Sequence, residues 1–89
     1  MEEEVRSLLE ADRCDDAIAL LTSFREGGGE MDDTLYYLLG NAWRKNGNWK
    51  QAMDNYLEAL ALNPQSPAGQ ALEMANDILA FFNKDMYNH

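Results

Sequence analysis

Cysteine and histidine are almost missing from this 89-residue chain, which has one of each, Cys14 and His89. A lone thiol cannot build an internal disulfide framework, so the chain reads as one suited to a reducing compartment, and a cytoplasmic location is expected. His89 is the final residue, and chain ends usually fray, so it is not expected to act as a base or ligand. Zinc needs about four converging ligands at fixed spacing, and no such set is present, so no metal or cofactor is expected. The acid pairs Asp15-Asp16 and Asp32-Asp33 stand beside turns, where acids at helix starts account for them better than acid–base catalysis does. The run Gly27-Gly28-Gly29 lacks the Lys-Ser/Thr that follows a phosphate-binding loop and is flanked by acids, so it reads as a linker. With no nucleophile–base pair, metal set or phosphate loop, an enzyme is not expected. Long apolar runs are also absent, since none approaches the roughly 18 residues of a membrane span. The first residues, Met1-Glu2-Glu3-Glu4-Val5, carry acid where a secretory signal would carry base, so export is not expected.

Positive charge is scarce as well. Seven Lys and Arg face sixteen Asp and Glu, for a formal charge of −9. Residues 1–33 hold eleven acids against Arg6, Arg13 and Arg25, a net −8, whereas residues 34–66 come to +1 and residues 67–89 to −2. Such a surface repels phosphate backbones, so neither nucleic acid nor an anionic membrane is an expected partner. The acid either keeps a small protein soluble or favours a basic partner.

Apolar residues make up 46% of the chain, enough for a folded globule, and the length allows one small domain with a thin core. The periodicity is helical throughout. From Asp33 onward, Tyr36, Leu39, Gly40 and Trp43 recur at i, i+3, i+4, i+7 and share one helix face. Asn46-Gly47 closes that helix, with glycine free to take the left-handed conformation of a C-terminal cap. Asn48 then caps a second helix whose face carries Trp49, Ala52, Met53, Tyr56, Ala59 and Leu60. Asn63-Pro64 ends it, because the residue before proline is pushed out of the α region. The short connection makes the pair an antiparallel hairpin.

The series Tyr36, Leu39, Gly40, Trp43, Ala52, Tyr56 and Pro64 resembles the tetratricopeptide repeat pattern W-x₂-L-G-x₂-Y…A-x₃-F…P, whose period is about 34 residues. Three aromatic positions carry a different aromatic, and the remaining positions agree. Gly40 and Ala52 are small where two helix backbones cross. A weaker copy precedes it over residues 1–31: Cys14-Asp15-Asp16-Ala17-Ile18 parallels Trp49-Lys50-Gln51-Ala52-Met53, with Leu21 and Phe24 opposite Tyr56 and Ala59. Its first helix lies around Glu2–Ala11, with Val5 in the place of Gly40, and Cys14 is expected to be a small core residue. After the strong repeat, 33–66, Ser66 and Pro67 open a further helix over 67–89. A third repeat would need its inner face on Gln70, Glu73, Met74 and Asp77, which is mostly polar. The stripe Ala71, Leu72, Ala75, Ile78, Leu79 and Phe82 instead predicts a terminal cap. The expected fold is therefore all-α, about five helices forming two hairpins and a capping helix. The resemblance implies that they stack as a right-handed superhelix, and small stand-alone bacterial proteins of the family are similar in length and ending.

The resemblance also implies a function. Tetratricopeptide repeats bind extended peptides or partner helices in a concave groove lined by the first helix of each repeat. Here the corresponding face carries Thr34, Tyr37, Asn41, Arg44 and Lys45, with Glu2, Arg6, Leu9 and Glu10 one repeat earlier and Ala68, Ala71, Ala75, Ile78 and Leu79 in the cap. Chaperone-binding members hold a terminal carboxylate with a lysine–asparagine clamp. Asn41 matches the asparagine, but Tyr37 stands where the clamp has lysine, which argues against that mode. Arg44 and Lys45 either meet an acidic ligand group or are solvated cations at a helix C-terminus. The partner is expected to be a protein or peptide, bound by a monomer or weak homodimer. The alternative is a structural module that dimerises through its open first helix or its tail. Phe81, Met86 and Tyr87 either fold back over the cap or form an exposed patch.

Overall fold

Local signals set where each helix starts and stops. The computed structural model describes residues 1–82, with side chains as far as Asp77. Its helices are α1 (Glu2–Glu10), α2 (Cys14–Glu26), α3 (Asp33–Lys45), α4 (Trp49–Leu62) and α5 (Ala68–Phe82). The described residues contain no strand. Three helices begin on a side-chain cap that satisfies an otherwise unpaired amide. Asp32 Oδ1 accepts from Leu35 N at 2.8 Å, Asn48 Oδ1 from Gln51 N at 3.1 Å, and Ser66 Oγ from Ala68 N at 3.1 Å.

Three helices end in the same hydrogen-bond pattern, in which two amides past the end reach back to the last turn's carbonyls. In α3, Gly47 N donates to Arg44 O at 3.0 Å and Asn48 N to Trp43 O at 2.9 Å, with Gly47 at φ 86°. In α2, Gly28 N donates to Arg25 O at 3.1 Å and Gly29 N to Phe24 O at 2.8 Å, with Gly28 at φ 89°. In α1, Asp12 N donates to Leu9 O at 3.1 Å and Arg13 N to Leu8 O at 2.8 Å, with Asp12 itself at φ 60°. The triple glycine is thus a built cap rather than a plain linker. The Phe24 ring lies against Gly29, where an added Cβ would sit 2.6 Å from it.

α3 is the organising element. It packs most extensively on α4 and also contacts α1 and α2, while α5 packs on α4. One core forms where Val5, Leu9, Ala17 and Leu21 meet Leu35, Leu38, Leu39 and Ala42 of α3. A second, made largely of alanine, holds Ala52, Tyr56, Ala59 and Ala68. Tyr36, Tyr37 and Trp43 pack against both. The close crossing expected at Gly40 is present: a Cβ there would lie 2.5 Å from Cε1 of Tyr56 and 3.2 Å from the Ala52 carbonyl oxygen. Cys14 is buried at the first position of α2, as Trp49 is first in α4, although the tryptophan is only half-buried.

Several placements differ from the sequence reading. Tyr36 and Trp43 are half-buried, because only part of the α3 stripe is covered by α2 and α4. Asn55, off the apolar face of α4, is 6% exposed and stapled to its own helix through Nδ2, which donates to Gln51 O at 2.8 Å. Leu9 belongs to the first core rather than to a groove, since α1 rests on α3 at that turn. Ala68 and Ala75 are fully buried, so α5 turns these residues inward. Gln70, Glu73, Met74 and Asp77 are exposed, as a polar-backed cap requires. The side chains of Ile78, Leu79, Phe81 and Phe82, and all of Met86 and Tyr87, lie outside the described residues.

Candidate functional site

Tyr56 anchors the most distinctive polar cluster. Its ring is fully buried over Gly40, and its Oη donates to Asn41 Oδ1 at 2.6 Å. Burial pushes the phenol's pKa above its ordinary value of 10.0, while the nearby Arg44 guanidinium pulls the other way. The hydroxyl therefore stays protonated and donating at neutral pH. Because the Asn41 oxygen is occupied, the amide's Nδ2 hydrogens are the part left for other partners. Tyr37 stacks obliquely on the same ring, with centroids 6.1 Å apart and planes at 38°.

These side chains converge on a groove. Tyr37, Asn41 and Arg44 line a cavity of ≈ 170 Å³ whose far wall is Pro67 together with Gln70, Ala71 and Met74 of α5. The cavity exists because α3 and α5 both lean on α4 rather than on each other. Arg44 Nε is buried there without a hydrogen-bond acceptor among the described residues. The α3 wall is thus rich in donors: the Asn41 amide, the Tyr37 hydroxyl and the Arg44 guanidinium.

Two expected residues stand apart from it. Lys45 Nζ donates to the Leu9 carbonyl at 3.4 Å, so it caps the C-terminus of α1, where a cation is electrostatically favoured. Thr34 is half-buried at the start of α3 and is not among the residues lining the groove. Of the far wall, the sequence names Ala71 as a groove position but not Pro67, Gln70 or Met74. Gln70 and Met74 were read only as positions unsuited to another helix, although that same exposure makes them available as a wall.

A larger opening of ≈ 620 Å³ lies between α2 and α4, on another face of α3. No group of His, Cys, Asp or Glu able to hold a metal ion occurs among the described residues. No helix there is long and apolar enough to cross a membrane.

Helical hairpins stacked on a glycine–tyrosine crossing match a known family. A family model described as tetratricopeptide repeat covers residues 3–67. The chain belongs to the tetratricopeptide repeat family. Its fold is similar to a solution NMR structure of Bacteroides fragilis protein BF1650, with a TM-score of 0.83 and 43% identity over 99% of this chain and 89% of that one. Comparison with curated proteins gives no significant match. Tetratricopeptide repeats generally mediate protein–protein interaction, and the match spans both helical hairpins of the chain.

Proposed function

We propose that the α3–α5 groove binds an extended protein segment through that segment's hydrogen-bond acceptors. The observation that carries this reading is the surplus of donors on one wall. Asn41 has its oxygen tied to Tyr56, and Arg44 keeps a buried Nε without an acceptor. An unpaired buried donor costs about 1–3 kcal/mol, and an acceptor group brought against the Arg44 guanidinium from the groove offsets part of that cost electrostatically. Backbone carbonyls and an acidic side chain suit such a wall. Tyr37 offers a ring face and a hydroxyl, and Met74, 54% exposed, offers an adaptable apolar contact opposite.

Lys45 has a different role in this reading. Bound to the end of α1, it positions the first hairpin beside the groove and does not contact the segment. For the alternative of self-association through the first helix, the exposed face of α1 is polar, carrying Glu2, Glu3, Glu4, Arg6, Ser7 and Glu10.

Selection from a displayed library of random peptides, using the intact chain as bait, tests the proposal. Enriched peptides are expected to carry acidic residues and to lose binding with Arg44→Glu or Asn41→Ala. Lys45→Glu should lower thermal stability while sparing capture. Peptides indifferent to both Arg44→Glu and Asn41→Ala would remove the groove from consideration.

A further inference from the structure

The α2–α4 opening has the reverse polarity. Both helices pack on α3 rather than on each other, which leaves the cleft of ≈ 620 Å³. Tyr36 and Trp43 line it with half-exposed rings, two turns apart on one face of α3. Asp54, Asn55 and Glu58 supply the α4 wall, and Arg25 stands on the α2 side. Asn55 is the informative residue. It is 6% exposed, its Nδ2 is spent on Gln51 O, and its Oδ1 receives no hydrogen bond among the described residues. That oxygen is not a buried unpaired atom, and Asn55 lines the cleft, so it is an acceptor reachable from solvent. Glu58 forms no ion pair among the described residues, whereas Asp54 is held only by an exposed contact to Lys50 at 3.0 Å.

We propose that this cleft binds an arginine side chain presented by a partner protein. A guanidinium is planar, carries five donors in a fixed fork, and stacks on aromatic faces. Asp54, Asn55 and Glu58 provide acceptors beside the rings of Tyr36 and Trp43, which is the combination a guanidinium uses and a compact ammonium uses less well. Among the residues lining the cleft, the two carboxylates Asp54 and Glu58 outweigh Arg25, so a cation is attracted to it. The inference is independent of the α3–α5 groove, which offers donors and would reject a cation.

The probe is a short end-blocked glycine peptide with one central arginine, titrated into the isotope-labelled intact chain and followed by NMR. The control peptide carries glutamine at that position. The Trp43 indole N–H and the Asn55 side-chain amide should shift with the arginine peptide and stay in place with the control. Glu58→Gln should weaken apparent affinity about threefold to fivefold, and Arg25→Gln, which removes the cation lining the cleft, should tighten it about twofold to threefold. Tyr36→Leu, which keeps an apolar floor, should also weaken binding, with a thermal melt confirming that the variant folds. Arg44→Glu should leave the Trp43 and Asn55 shifts in place. Equal shifts with both peptides, shifts confined to other faces, or indifference to both Glu58→Gln and Arg25→Gln would overturn the proposal. A lysine peptide binding as tightly as the arginine peptide would overturn the guanidinium assignment.

Discussion

At Gly40 the space of a missing side chain is taken by a neighbour. A Cβ there would meet Cε1 of Tyr56 at 2.5 Å, and Tyr56 is fully buried and cannot swing aside. Gly40→Ala is therefore expected to destabilise the protein by about 3 kcal/mol, the upper end for overpacking, as measured by urea denaturation. Tyr56 contributes through its hydroxyl as well as its ring. Tyr56→Phe keeps the ring but removes the 2.6 Å bond to Asn41, which should cost about 1 kcal/mol near neutral pH. The phenol's pKa is raised in the fold from 10.0, chiefly by burial. The unfolded chain thus releases this proton first as pH rises. The hydroxyl's stabilisation is full below pH 10.0 and declines as pH climbs toward the folded value. Denaturation of both forms across that range should show the gap between wild type and Tyr56→Phe narrowing above about pH 10. The crossing was legible in the sequence because Gly40, Ala52 and Tyr56 have a packing reason at each position. The burial of Asn55 was not, since one helix face does not reveal where a neighbouring hairpin leaves a gap.

At the scale of elements, the two hairpin turns are the same structure built from different residues. Asp12-Arg13 occupies the place of Gly47-Asn48, with matching pairs of reach-back hydrogen bonds. Asp12 pays for the left-handed conformation with φ 60°, where Gly47 sits at φ 86° without a Cβ. Arg13, at φ −102° and ψ 62°, begins α2 with no side-chain cap, whereas Asn48 at φ −96° and ψ 87° caps α4. The backbone for repair is already in place. Asp12→Gly should stabilise the first hairpin by about 0.5–1 kcal/mol by relieving the left-handed strain. Arg13→Asn should add about 0.5 kcal/mol, the gain of a cap less the exposed Arg13–Asp16 ion pair. Thermal melts of the single and double variants test both. The weaker first copy was legible in the sequence through Val5 in the place of Gly40 and Cys14 in the place of Trp49. The shared turn geometry was not, because an aspartate at a turn takes the left-handed conformation only occasionally and its presence does not announce it.

At the scale of the whole molecule, the faces of α3 set up opposite chemistries. One looks into a donor-rich groove against α5, the other into an acceptor-rich cleft between α2 and α4. Hydrophobic spacing with the cap and breaker residues predicts the helices and their order, and the family resemblance places Tyr37, Asn41 and Arg44 on the groove face. It also assigns Lys45 to that face, because spacing cannot register that the end of α1 would lie within 3.4 Å of its amine. The cleft escaped the sequence reading altogether, since Tyr36 and Trp43 read as buried core.

Those aromatic residues have a consequence for how the chain unfolds. Tyr36, Tyr37 and Trp43 pack against both cores, so neither core can dissolve without stripping contacts from the same three rings. A linear array of independent hairpins would come apart in stages, with the alanine-lined second core opening first. Here the shared rings tie the two melting events into one. Trp43 fluorescence and far-ultraviolet circular dichroism should therefore follow coincident denaturant transitions in Trp49→Phe protein, where Trp43 is the sole emitting tryptophan. Replacing Trp43 with leucine should separate the two hairpins into distinct steps of amide hydrogen exchange.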